Sequence, residues 1–246
     1  TTCTARTSKD LGITKFYFSG SNSLDSLYVL PLADSKSVEV SYTIDGSTKG
    51  TLSFKVNQQT ASNQFTDVSG SYKWAANSVD FMYMNDIIKG NNTKNPKLFG
   101  PGAKMTRAML VTVLWRMAGS PAAQGNGGFT DLKAGWYRQA AVWGAQNGIV
   151  AGTGAGTFSP DTPVTKEQAA ALLVRFARMR GISIPADTAP VYVAECSAWA
   201  QADVQAAYAA SILDRFPACL AAPQEAATRA ELARMLRLLS NLLQNA

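Results

Sequence analysis

The sequence predicts an α+β chain, a small N-terminal β-sheet domain followed by an all-α region of three helix-loop-helix repeats. Two observations carry this. Apolar and polar residues alternate over SVEVSYTI (37–44) and TLSFKV (51–56), the period of a half-buried strand. Beyond residue 64, motifs recur at intervals of about sixty residues, and the periodicity becomes helical.

The strands come first. The two alternating runs are joined by a DGSTKG turn into a hairpin, and KFYFSG and LYVLPL supply two further strands. Four or five strands are few for a closed sandwich, so residues 1–64 are expected to form a small sheet domain, Ig-like or a partial sandwich, completed by residues outside the given sequence, by the helical part or by another subunit.

The repeats follow, with expected boundaries at 65–123, 124–185 and 186–246. Trp74, Trp136 and Trp199 each stand twelve positions before a turn residue, namely Asp86, Gly148 and Ser211. These turns open NDIIKG (85–90), NGIVAG (147–152) and the diverged ASILDR (210–215). Each is followed by a loop and a Thr-cation pair: Thr106-Arg107, Thr165-Lys166 and Thr228-Arg229. Phe99, Phe158 and Ala221 lie seven residues before those threonines, and Pro101, Pro160 and Pro223 lie five before. FTDV (65–68) matches FTDL (129–132), with YVAE (192–195) as a weaker third copy.

The second helix of the middle repeat is the most legible. Thr165 caps it and Gln168 completes a capping box. Ala169, Leu172, Leu173, Phe176 and Met179 form the apolar face, and Gly181 stops the helix. Val113, Leu114 and Met117, and Met235, Leu236 and Leu239, continue the same stripe in the other repeats. One helix pair cannot bury such a stripe alone, so the three are expected to pack together.

Lys166 occupies the first turn, where the helix dipole disfavours a cation. Either a neighbouring carboxylate or carbonyl offsets this, or an external anion is held jointly by the cation and the first-turn amides. Residue type alone leaves the two even. A repeated tryptophan is expected in the core more often than on a ligand platform. Gly90, Gly148 and Gly152 suit positive-φ turns and also open backbone to a ligand. Asp67 and Asp131 are expected to cap the first helix or the turn before it.

Composition narrows the function. There is no histidine, which excludes Ser-His-Asp and Cys-His nucleophile systems and most zinc sites, so no enzyme activity and no cofactor are expected. The acidic residues of 1–64 form no evident carboxylate pair of the glycosidase kind. The net charge of +6 suits an anionic partner, but the basic residues are scattered rather than striped, against nucleic acid. No apolar run is long enough to span a membrane, so no membrane insertion is expected. The start, TTCTARTSKD, lacks both Met and a signal segment, as expected of a mature chain or a piece of a longer one. Cys196 and Cys219 are close enough in sequence to bridge a local loop in an extracellular setting.

From residue 65 onward these motifs resemble the S-layer homology domain family, triplicated modules that fasten bacterial surface proteins to the cell envelope. FTDLKAGWYRQAAVWGAQNGIVAGTGAGTFSPDTPVTKEQ carries nearly every element of the family pattern in order, and TRAE (228–231) is its hallmark in the third repeat. The resemblance implies a pseudo-threefold bundle and extracellular anchoring to an anionic cell wall polysaccharide, often one bearing pyruvate ketals. It implies binding through Arg107, Lys166 and Arg229, with Trp74, Trp136, Trp199, Gly90 and Gly152 lining the grooves. Lys166 replaces the family's arginine and lacks its bidentate fork. Ser211, Arg215 and Ala221 replace the pattern's glycine, glycine and phenylalanine, and a Cys196–Cys219 disulfide is the hypothesis for what replaces that loop's packing. The alternative function is a structural subunit of a surface lattice or filament, self-assembling as a homo-oligomer.

Overall fold

The structure is a computed structural model. It describes residues 64–90, 94–184, 193, 195–213 and 222–244 with side chains, and strand backbones within 2–55. The expected α+β class and N-terminal β domain require correction. Where side chains are described, the chain has six α-helices, one 3-10 helix (Gly70–Ala75) and no strand. Ahead of this region the described residues form local backbone ladders. β1 (Thr2–Thr7), β2 (Thr14–Ser19) and β3 (Ser26–Val29) pair antiparallel in one sheet, and β4 (Ser37–Ile44) pairs with β5 (Thr48–Lys55) in another. Among the described residues the two sheets share no pairing. Alternation specifies a hairpin locally, whereas a β domain requires sheets to share a core, which no local pattern encodes.

The helices are α1 (Ala76–Met84), α2 (Arg107–Met117), α3 (Arg138–Gln146), α4 (Lys166–Met179), α5 (Gln201–Ala209) and α6 (Arg229–Gln244). Thr106 and Thr165 cap α2 and α4 with their hydroxyls, and the Thr165/Gln168 capping box forms as expected. Thr228 and Glu231 make the corresponding exchange at α6. Gly181, at φ 84°, follows the end of α4.

The helices do not pack as three separate hairpins. The closest helix pairings are α2 with α3, α4 with α5, and α6 with α1, so the second helix of each pair lies on the first helix of the next and the cycle closes. The apolar stripe fills the middle: Leu114, Leu173, Phe176, Leu236 and Leu239 are fully buried.

The cycle is pinned at its centre by backbone. Val164 N–H donates to Met105 O (2.9 Å), Ala227 N–H to Val164 O (2.8 Å), and Met105 N–H to Ala227 O (3.3 Å). Each of these residues immediately precedes a capping threonine. All three are buried, so each amide must find a partner within the protein, and the three satisfy one another.

Equivalent positions share backbone geometry across the helix pairs. Asp86, Gly148 and Ser211 have φ of 58°, 67° and 56°, and Gly100, Ser159 and Ala222 have 70°, 57° and 53°. Non-glycine residues therefore accept the left-handed conformation at four of these positions, at a cost of about 1 kcal/mol or more each.

Ala227→Pro removes one donor of the central ring and leaves the Val164 carbonyl unpaired. The expected cost is about 1–3 kcal/mol. Because each pair packs on the next, circular dichroism and tryptophan fluorescence should report one shared unfolding transition over the helical region. Separate transitions for individual pairs would contradict the closed cycle.

Candidate functional site

The functional candidates gather at three junctions, where the N-terminus of one second helix enters the loop of the next pair. Arg107 N–H donates to Thr162 O (3.0 Å) and Ala108 N–H to Pro160 O (3.1 Å). Lys166 N–H and Glu167 N–H donate to Glu225 O and Pro223 O, both at 3.0 Å. Arg229 N–H donates to Ala103 O (2.8 Å) and Ala230 N–H to Pro101 O (3.0 Å). A helix leaves its first amides without internal partners, and here proline-loop carbonyls take two at each junction. These amides are thus not available to an external anion.

The cations follow the backbone inward. Arg107 is 4% exposed, its Nε donates to Phe158 O (2.9 Å), and its guanidinium lies 5.2 Å from the Phe158 ring centroid. Arg229 is 7% exposed, donates from Nε to Phe99 O (2.9 Å) and from Nη2 to Lys89 O (2.7 Å), and lies 4.5 Å from the Phe99 centroid. Burial pushes the Arg229 pKa down to about 10 against the opposing pull of Asp67. Burial likewise lowers that of Arg107, opposed by Asp131. Both remain cationic at neutral pH.

Lys166 is equally buried but has different company. Its Nζ lies 3.3 Å from Glu231 Oε1 and 4.0 Å from Glu225 Oε2. Glu231 also accepts from the Thr228 amide (2.7 Å) and hydroxyl (2.8 Å), so one carboxylate caps α6 and holds the Lys166 cation.

The aspartates of the FTD motifs act elsewhere than expected. Rather than capping the first helix, Asp67 accepts from the Phe99 and Gly100 amides, both at 2.8 Å, and Asp131 from Phe158 (2.8 Å) and Ser159 (2.7 Å). The Phe99 and Phe158 peptides are therefore held from both sides. An aspartate of their own repeat binds the amide, and an arginine of the preceding second helix in the cycle binds the carbonyl. Phe65 and Phe129, from the same motifs, pack tilted against Phe99 and Phe158.

The glycines serve this packing. A Cβ on Gly90 would sit 2.9 Å from Leu98 O and 3.2 Å from the Phe65 ring. On Gly152, at φ 80°, it would sit 2.7 Å from Thr157 O and 3.0 Å from the Phe129 ring. Both spaces are filled by each repeat's own loop.

The tryptophans depart from the core expectation. Trp136 is 59% and Trp199 is 53% exposed, whereas Trp74 is half-buried with the Arg234 guanidinium 5.8 Å from its ring centroid. Each is near one junction in sequence or in contact with its helix. Trp136 follows Asp131, which holds the loop that Arg107 enters. Trp199 follows Ser197, whose amide (2.8 Å) and hydroxyl (2.7 Å) donate to Glu167 beside Lys166. Trp74 lies against α6, which begins at Arg229. Arg237, also on α6, has its guanidinium 3.4 Å from the Phe81 centroid.

Cys196 is buried and carries a free thiol, whose pKa burial raises, with Glu167 and Glu195 adding to the shift. Cys219, Arg215 and Ala221 lie outside the described residues. Among those described, no helix is long and apolar enough to cross a membrane, and no three His, Cys, Asp or Glu residues group as metal ligands. Sequence reading missed Glu231 as an ion-pair partner and the central ring. The TRAE motif displays Glu231, but nothing local reveals that Lys166 comes to it from 65 residues away.

Parts of the chain are similar in sequence to known proteins. Residues 64–108 and 128–170 are similar to the S-layer homology domain, one stretch beginning in each of the first and second helix pairs. The chain is 28% identical over 115 residues to the S-layer protein sap of Bacillus anthracis and 31% identical over 120 residues to the surface-layer 125 kDa protein of Lysinibacillus sphaericus. It is 27% identical over 115 residues to an S-layer protein of Bacillus thuringiensis subsp. finitimus. These stretches cover 46%, 48% and 46% of this chain but only 14%, 10% and 14% of the relatives. The location they indicate is extracellular, at the cell surface.

Two outcomes test the geometry. Asp131 feels burial, which raises its pKa, but the Phe158 and Ser159 amides and Arg107 outweigh it and hold the carboxyl below its usual value. A depressed folded pKa contributes stability above the unfolded value of about 3.9, lost as pH falls through the folded one. Asp131→Asn should therefore be less stable than wild type at pH 7, and the gap should close below about pH 4 in urea titrations. Gly152→Ala should cost about 1–3 kcal/mol in the same assay, from the positive φ and the Thr157 clash; an unchanged midpoint would show that the loop yields.

Proposed function

We propose that this chain is a non-catalytic anchoring module that holds a surface protein to the bacterial cell envelope by binding an anionic secondary cell wall polysaccharide. Residues 186–246 act in it as a third, diverged repeat. The carrying observation is the exposure of two indoles, Trp136 and Trp199, at the same place in successive helix pairs, five and two residues along the chain from Asp131 and Ser197, whose hydrogen bonds reach the Arg107 and Lys166 junctions. Burying an indole is strongly favoured, so leaving one exposed in each of two repeats fits a surface that meets a ligand. A sugar ring offers an apolar face for stacking, and a carboxylate such as that of a pyruvate ketal suits a guanidinium.

The chemistry is recognition only. Indole stacking selects the ring, the cation selects the charge, and loops fixed by Asp67 and Asp131 keep the surface preorganised, which lowers the ordering cost of binding. A second role, as a lattice subunit, is favoured by the S-layer names of the relatives, and sedimentation velocity across a concentration series reads it directly.

The test is co-sedimentation with Gram-positive sacculi, before and after acid extraction of the secondary polymer. The wild-type chain should pellet with intact sacculi only. Trp136→Ala/Trp199→Ala, which removes exposed side chains and should keep the native circular dichroism spectrum, should lose at least ten-fold in affinity. Equal pelleting by the variant, or by the wild type on extracted sacculi, would defeat the anchoring reading.

A further inference from the structure

The chain contains two Asn-Gly pairs, Asn126-Gly127 in the linker between the first two helix pairs and Asn147-Gly148 at the end of α3. In such a pair the glycine nitrogen can attack the asparagine side-chain carbonyl carbon, because no Cβ shields it. The two pairs offer the same chemistry in opposite surroundings.

At Asn147 the fold engages both reacting groups. Nδ2, part of the leaving amide, donates to Trp143 O (2.8 Å), and the Gly148 N–H, the nucleophile, donates to Ala145 O (3.1 Å) as the chain leaves α3. Attack would have to break both bonds.

At Asn126 the side chain is exposed, and its Oδ1 accepts from the Gly128 amide (3.0 Å). Its backbone carbonyl accepts from Phe129 N–H (3.1 Å), so the side-chain carbonyl is folded forward over the Gly127 peptide. Among the described residues no hydrogen bond is found from the Gly127 N–H. When the Gly127 nitrogen adds to Cγ, negative charge gathers on Oδ1, and the Gly128 N–H already points at that atom as an oxyanion donor would. The linker is held in this arrangement. Trp115 Nε1 donates to Pro121 O (2.8 Å), Ala123 N–H to Gln139 Oε1 (2.9 Å), Gln146 Nε2 to Gln124 O (2.8 Å) and Arg138 Nη2 to Gly125 O (3.2 Å). Gly127, at φ 63°, lies so close to α3 that a Cβ on it would sit 3.1 Å from the Ala145 Cβ.

We propose that Asn126 is a self-modifying site, which folding keeps reactive while it shuts the same dipeptide at Asn147. Solvent base takes the Gly127 amide proton, the nitrogen bonds to Asn126 Cγ, and the side-chain nitrogen leaves as ammonia with a proton from water, giving a cyclic succinimide. Water then opens the ring. Addition at Cγ yields aspartate, and addition at the main-chain carbonyl yields isoaspartate, with the backbone rerouted through Cβ. The net exchange is water for ammonia. Either product adds a negative charge to the linker, and isoaspartate also adds a backbone carbon just ahead of Phe129 and Asp131, which pack on and hold the Phe158 loop. The change is set by time and pH, and it is independent of what the chain binds.

The experiment ages the full chain, folded and in urea, at mildly alkaline pH, and follows it by tryptic peptide mapping with tandem mass spectrometry. Cleavage after Arg116, Lys133, Arg138 and Lys166 places Asn126 in peptide 117–133 and Asn147 in peptide 139–166, each the only asparagine of its peptide. Asn126 should convert in the folded chain at least as fast as in urea, with isoaspartate read by isoaspartyl methyltransferase labelling. Asn147 should convert about ten-fold slower when folded than in urea, the equivalent of breaking one or two hydrogen bonds before reaction. Asn126→Ser should abolish the asparagine conversion in peptide 117–133 and leave Asn147 as slow as in the wild type. An Asn126 slowed by folding, or an Asn147 that folding does not slow, overturns the proposal, and the wild-type rates decide this whether or not the variant folds.

Discussion

Three backbone amides that have nowhere else to go hold this molecule together. Met105, Val164 and Ala227 are buried just ahead of three helix starts, and each gives its N–H to the carbonyl of another in a closed ring. The ring sets the spacing and direction of α2, α4 and α6. Once these are set, each helix enters the neighbouring loop, and its first amides meet the carbonyls at Pro160 and Thr162, Pro223 and Glu225, or Pro101 and Ala103. No helix pair contains its own partners. A buried amide without a partner would cost on the order of 1–3 kcal/mol, so the cycle closes or the helix starts are left unsatisfied.

The helix-end cations follow from the same arrangement. A cation in a first turn opposes the helix dipole, and burying it adds a desolvation penalty. Arg107 and Arg229 offset both by bonding loop carbonyls and stacking on Phe158 and Phe99, while Lys166 does so with Glu231. Arginine suits the first solution because its planar group can donate along an edge while a face lies on the ring. Lysine cannot do both, and the junction containing it uses a carboxylate instead. The substitution of one cation by another thus changes the local charge balance of the junction.

Much of the helical architecture was legible beforehand. The equal spacing of tryptophan, turn, proline and threonine anticipated positions that share backbone conformation even where glycine is absent, as at Asp86, Ser159, Ser211 and Ala222. The site was less legible. Asp131 reads as a helix cap because its neighbours in sequence are a helix start, yet its carboxylate reaches amides 27 and 28 residues onward. Trp136 and Trp199 read as core because an indole buries so much apolar area, yet both lie open. The N-terminal alternation specified ladders such as β4 with β5, but a domain depends on how separate ladders meet, and nothing in a period of two carries that information.

By itself the sequence determined the local conformations: the capping boxes, the helical stripe, the positive-φ turns and the register of the repeats, all fixed by interactions within a few residues. Only the tertiary structure decided which partner each buried charge and amide would meet. Arg107 could have faced a ligand, a carboxylate or a carbonyl, and residue type permitted all three. The outcome depended on closing a cycle in which Phe158, Glu231 and Phe99 arrive from other helix pairs. Contacts between residues fifty or more positions apart leave no periodic trace in the chain, because they are selected by the joint burial of all three helix pairs.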